Sequence, residues 1–168
     1  MHRLAPILLV AACTSSGGDP STAPDASPGS DSGDPSIGTP QLPPQGQAAL
    51  KTWLAEGHYL AWSCESAAHA ARPPGAHGEN RICSNTALST STSGSYPVDA
   101  ASVKELYRNG QIAGFAVGRK VASGAGASTW YWYEGVGDTT IYADGVNVPL
   151  CVNCHQGAAR DHVFTQVP

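Results

Sequence analysis

The sequence predicts an α+β domain, mainly an antiparallel β-sheet with a helix before it and a helix after it. Three observations carry this. An amphipathic spacing near residue 50 gives way, past residue 80, to short β-branched and aromatic runs divided by Gly, Ser and Asn. The twelve aromatic residues all lie between Trp53 and Phe164, so one core is expected in residues 46–168. No internal repeat is visible.

Residues 1–12 begin Met-His-Arg, continue with an apolar run from Leu4 and end on Val10-Ala11-Ala12, directly before Cys13. A positive start, a short apolar stretch and small residues read as a signal peptide for export. The run is far short of the roughly twenty apolar residues that span a bilayer. Small residues placed before a cysteine resemble the lipobox of bacterial lipoproteins, which implies cleavage before Cys13 and its lipidation. The competing reading is a plain signal peptide with a chance cysteine.

Residues 13–45 follow as a tether. From Thr14 to Gln45 the chain holds seven Pro, five Gly, seven Ser and three Thr, with no aromatic and no basic residue. Such a segment buries too little apolar surface to offset its chain entropy. It is expected to hold the folded part off a membrane.

In the folded part, Leu50, Trp53, Leu54, Ala61 and Cys64 recur at three-and-four spacing and predict a helix over 47–63, which Gly57 weakens. Strands are expected at 81–83, 102–107, 112–121 and 130–136. In Trp130-Tyr131-Trp132-Tyr133, alternate rings should face opposite sides of the sheet, one pair toward a pocket or core and the other toward solvent or a subunit partner. Gly110, Gly114 and Gly118 read as close packing or a bulge. The formal net charge of −4 divides unevenly: Arg3 opens the signal, four Asp lie in the tether, and the domain carries eight basic and nine acidic residues. No basic footprint exists to neutralise a phosphate backbone, so nucleic acid is not an expected partner.

The chemistry centres on Cys151-Val152-Asn153-Cys154-His155. Two cysteines three apart can form thioethers with the two vinyl groups of one haem, and the histidine that follows can bind its iron. This predicts one covalent haem c, with Cys151 and Cys154 as attachment sites and His155 as axial iron ligand on a C-terminal haem-binding helix. A redox Cys-x-x-Cys would need a βαβ context that the sequence lacks. A zinc site from Cys151, Cys154 and His155 or His162 would lack an evident fourth ligand. Cys64 and Cys83 remain, and an oxidising compartment favours a disulfide between them, two buried free thiols being the other reading. Met1 is the only methionine and leaves with the signal, so the second face of the iron would be open or held by His58, His69, His77 or His162.

His77-Gly78 with Arg81 and Asn85, Tyr96-Pro97, Ser102-Val103-Lys104-Glu105-Leu106, Trp130 to Tyr133, and Asp161-His162-Val163-Phe164-Thr165 after the haem motif together resemble the cytochrome P-460 and cytochrome c′-beta family. The resemblance runs from His77 to the C-terminus. It implies a mainly antiparallel β fold, often dimeric, holding a five-coordinate c-type haem with an open distal site. Members oxidise hydroxylamine or bind nitric oxide and related small molecules. In the P-460 branch a lysine is bonded to the edge of the macrocycle, and Lys104 matches it; its competing reading is a solvated lysine, since Lys104 and Glu105 alternate along a strand. Arg81 matches an arginine of the distal pocket, against a surface ion pair with Glu79. The hydroxylamine-oxidising members carry a distal carboxylate on the strand that matches 112–121, where this chain has Ala116 and Val117. Glu134 is either its substitute or an exposed strand-end acid. Asp161 is read as a cap on backbone amides after the haem helix.

The expectation is a lipid-anchored mono-haem cytochrome, exported to a periplasmic or exterior face, that binds or converts nitric oxide or hydroxylamine and exchanges electrons with a redox partner. Whether it is an enzyme stays open. The alternatives are an electron carrier with two histidine ligands, and a structural lipoprotein whose cysteines form disulfides or hold zinc.

Overall fold

The computed structural model describes residues 42–168. The signal peptide, Cys13 and the tether as far as residue 41 lie outside the described residues. Pro43 is fully buried, and its carbonyl accepts from Arg119 Nη1 at 2.9 Å, so the fold reaches back past the expected boundary at residue 46.

The helix expected over 47–63 is three elements. α1 (Gln47–Ala55) ends where Gly57 takes the left-handed conformation at φ 72°, a 3-10 turn follows at His58–Ala61, and β1 is Ser63–Cys64. The apolar spacing persisted across a change of backbone because every one of these pieces rests on the same core. β2 (Asn80–Ser84) leads into α2 (Thr86–Ser89), whose N-cap Asn85 accepts from the Leu88 amide. β3 (Ala101–Arg108), β4 (Gln111–Lys120) and β5 (Trp130–Val136) match the expected strands to within about two residues. β6 (Thr140–Val146) and α3 (Pro149–His155) complete the chain, the latter opened by Pro149.

The six strands form one antiparallel sheet in sequence order. Asn109 (φ 53°) and Gly110 (φ 73°) make the tight β3–β4 turn, the pair of positive φ angles that a two-residue hairpin needs. A Cβ on Gly114 would collide with the Gly135 carbonyl of β5, while one on Gly118 would meet the Trp132 ring at 3.2 Å. The three glycines thus serve one turn and two close approaches.

The two-residue period of the strands divides the core into two layers. On one face Cys83, Val103, Val117, Tyr131 and Tyr133 pack under Leu50, Trp53 and Leu54 of α1. On the other, Trp130, Trp132 and Ala143 pack with Leu88, Tyr96 and Cys151 of α3. All four rings from Trp130 to Tyr133 are buried, so neither pair faces solvent. Cys64 and Cys83 sit directly opposite each other in the β1–β2 register and form a disulfide. Among the described residues no helix is long and apolar enough to cross a membrane.

Candidate functional site

A single row of side chains crosses the second face of the sheet. The register aligns Ile82, Lys104, Ala116, Glu134 and Ala143 on successive strands, and Ser102, Gly118 and Trp132 form the next row. Small residues at 116 and 118 leave space above the sheet. A cavity of about 270 Å3 fills it, lined by Lys104, Glu134 and Trp132 from the strands, Cys151, Cys154 and His155 from α3, and His77 from the loop before β2. A second cavity of about 130 Å3 shares His77, Lys104, Cys154 and His155 and runs to Phe164 and Thr165.

His155 ends α3, and its ring is gripped from three sides: the Trp132 ring centre lies 4.5 Å away, that of Phe164 5.4 Å, and Nδ1 is 2.7 Å from the His162 carbonyl. A carbonyl only accepts, so Nδ1 carries the hydrogen and the lone pair is on Nε2. Burial pushes the imidazole down to about 4, which keeps the ring neutral at ordinary pH. A neutral imidazole with its second nitrogen fixed on a carbonyl is how a metal-binding histidine is held.

The His162 carbonyl is itself held in place by strain. Asp161 (φ 36°) and His162 (φ 65°) both take positive φ, which an L-residue adopts only when its surroundings compel it. Asp161 supplies the compulsion. Its carboxylate accepts from Lys120 Nζ at 2.7 Å, the Tyr96 amide at 2.9 Å and Trp130 Nε1 at 3.3 Å. Burial alone would raise this carboxyl; the Lys120, Tyr96 and Trp130 donors outweigh it and hold the group below the usual carboxylate range. Asp161 therefore does not cap the end of α3. Its amide partner lies 65 positions away.

Cys151 is buried, Cys154 is exposed, and both are free thiols. Burial pushes the Cys151 thiol up to about 11. That opposes the lowered thiol a redox Cys-x-x-Cys needs. Among the described residues no three His, Cys, Asp or Glu converge as a metal cage, so the zinc reading finds no four-ligand site. What the site does offer is the His155 imidazole and the two thiols of Cys151 and Cys154 along the wall of one apolar cavity. That set suits a flat apolar cofactor tethered through sulfur and bound through its metal.

Lys104 and Glu105 do not alternate between core and solvent. Lys104 lines the cavity, where burial lowers its ammonium against the opposing charges of Glu65 and Glu134. Glu105 is 1% exposed on the α1 face, accepting from Tyr59 at 2.8 Å and Tyr107 at 2.9 Å. Arg81 lies in register with Glu105 and its guanidinium meets that carboxylate at 3.3 Å, while Nε donates to the Glu65 carbonyl. It points to the α1 side with Cys83, away from the cavity, and its partner is Glu105 rather than Glu79. The pocket position expected for Arg81 is not the one it occupies. One residue on, Ile82 faces the cavity wall.

Glu134 is no exposed strand-end acid. It lines the cavity 3.6 Å from His77 Nδ1, and the His77 imidazole beside it holds its carboxyl below the usual range. The spacing of the β5 run could have revealed its direction, since Glu134 shares parity with Trp130 and Trp132. No protein-family model, curated protein or solved structure matches the chain.

Proposed function

We propose that this chain is an exported, lipid-anchored mono-haem c-type cytochrome of the cytochrome P-460 and cytochrome c′-beta type, which binds or converts a small nitrogen species such as nitric oxide or hydroxylamine. The observation that carries the reading is His155: its Nδ1–H is committed to the His162 carbonyl at 2.7 Å and its Nε2 is left to a metal, beside the free thiols of Cys151 and Cys154. When bound, haem would supply a redox-active iron able to take a small ligand.

The residues around it have separable tasks. Cys151 and Cys154 would hold the group by thioethers, with His155 following them at the end of α3. Trp132 and Phe164 pack against the His155 ring and fix its orientation. Lys104 lines the cavity, where it would be the residue to bond a macrocycle, and its burial favours the neutral amine that a bond to carbon requires. The run 112–121, where the hydroxylamine-oxidising members carry a carboxylate, has Ala116 and Val117 at its centre, and Glu134, in register with Ala116, lines the cavity in its stead, so both branches of the reading stand.

Expression with haem-ligation machinery and export tests it. Denatured wild-type protein should retain haem on a gel, Cys151→Ala with Cys154→Ala should lose it, and wild-type protein without haem would sink the proposal. A Cys13→Ser variant should leave the detergent phase for the aqueous one. Lys104→Leu should abolish any red shift of the ferrous Soret band; a shift that persists would remove Lys104 as a bonded residue.

A further inference from the structure

We infer that the buried Lys120–Asp161 ion pair is a positioning device for the iron ligand: through the His162 carbonyl it sets the donor strength of His155, and with it the reduction potential of the iron. This rests on the haem reading above and concerns only the side of His155 away from the iron, so the opposite face stays open to a small ligand. The two side chains are 0% and 2% exposed, with Nζ and Oδ2 2.7 Å apart. Two apolar side chains of like volume commonly stabilise a fold as well as a buried ion pair does, so the charges call for another task. Orientation is the task their bonds fit. All three Lys120 donors are used, on Asp161, on the Thr129 hydroxyl at 2.7 Å and on the Gly124 carbonyl at 2.6 Å. Asp161 in turn accepts from the Tyr96 amide on Oδ2 and from Trp130 on Oδ1, so β4, β5 and the loop before β3 all fix it.

What they fix is a tight turn. The Val163 amide donates to the Arg160 carbonyl at 2.9 Å, and the two residues between them take φ 36° and 65°. Two successive L-residues at positive φ store strain that only their surroundings can hold. From this turn the His162 carbonyl accepts the His155 Nδ1–H at 2.7 Å. The His162 imidazole is not engaged: its Nδ1 is buried without a hydrogen-bond partner, and the backbone alone bonds to His155. A second path runs from Asp161 through Trp130, which stacks on Trp132 at 5.8 Å, while Trp132 packs on His155 at 4.5 Å. An imidazole whose second nitrogen donates to a carbonyl is the more basic ligand, and a more basic ligand favours ferric over ferrous iron.

Potentials and iron spectra, read beside stability, test this. Asp161→Ala and Lys120→Met should each shift the ferric-to-ferrous preference about tenfold, a rise of about 59 mV in the one-electron midpoint potential, and lower the iron–histidine stretching frequency of the ferrous protein. Leu54→Ala, on the α1 face, should destabilise the fold while moving neither readout. Lys120→Met combined with Asp161→Ala leaves no charge unpaired, so stability should recover toward wild type while both shifts remain. His162→Asn, which tolerates the same backbone conformation, should leave both readouts at wild-type values. The inference falls if haem-loaded Asp161→Ala or the double variant keeps the wild-type potential and stretch, if Leu54→Ala moves them as far, or if His162→Asn moves them. Haem-free wild-type protein defeats the haem reading itself; the other outcomes are all read on haem-loaded protein and leave that reading intact.

Discussion

Asp161 and Lys120 lie 41 positions apart in the chain and meet with side chains 2% and 0% exposed. A buried pair of this kind is costly to break from one side, because the remaining charge is left without a partner. Asp161→Asn should destabilise by about 3 kcal/mol in urea titrations at neutral pH. Because Asp161 also turns the His162 carbonyl onto His155, the same variant should, if the proposed haem is bound, broaden the spectrum of its iron. The pH dependence follows from three depressed carboxyls, Asp161, Glu65 and the Glu134 that His77 holds down. For Asp161 the donors named above outweigh burial; for Glu65 burial would raise the group, and Arg72, the Ile82 amide and His69 outweigh it. The unfolded chain therefore binds more protons in acid. The stability these groups contribute is present above about pH 4, the range of unfolded carboxyls, and is lost as pH falls through their folded values. Urea midpoints should drop from pH 6 to pH 3, with a shallower slope in Asp161→Asn.

Among the elements, the β4–β5 pair shows how a sheet accommodates a close approach. At Gly114 there is no room for any Cβ because the obstacle is the Gly135 backbone, which cannot swing aside as a side chain can. Gly114→Ala should destabilise by roughly 1–3 kcal/mol, the usual range for overpacking, with loss of β signal in circular dichroism. At the other end of the meander, Gly57 ended a helix that the apolar periodicity continued. Spacing reports which side chains are buried; it does not report whether the backbone between them stays helical. The hairpin from Asn109-Gly110 was present in the residues as a two-residue turn signal. β6 was harder to read, since its burial alternates only partly and Tyr142 is exposed.

For the molecule as a whole, the disulfide closes eighteen residues, Glu65 to Ile82, the segment that includes His77 and the loop beside the second cavity. Chain entropy assigns such a closure about 3 kcal/mol. Reduction should lower the melting temperature by roughly 10 °C, and an unchanged melt would show that the loop is held by its contacts alone. The bond also joins β1 to β2 at one edge of the sheet. A loop tied at both ends keeps His77 at the wall of the cavity.

Local chemistry was legible from residues alone: four strands and their two-residue alternation, the Cys151-Val152-Asn153-Cys154-His155 motif, the Cys64–Cys83 pairing and the composition break before the domain. Each depends on neighbours within a few positions, or on elimination among five cysteines. Only the folded chain decided which way Arg81 and Lys104 point, that Glu134 and His77 share a cavity with His155, and that Asp161 holds a lysine of β4 and an amide of the loop before β3. Those facts are contacts across 24 to 78 positions. Register and sheet face set them together, and no single segment of the chain contains the information.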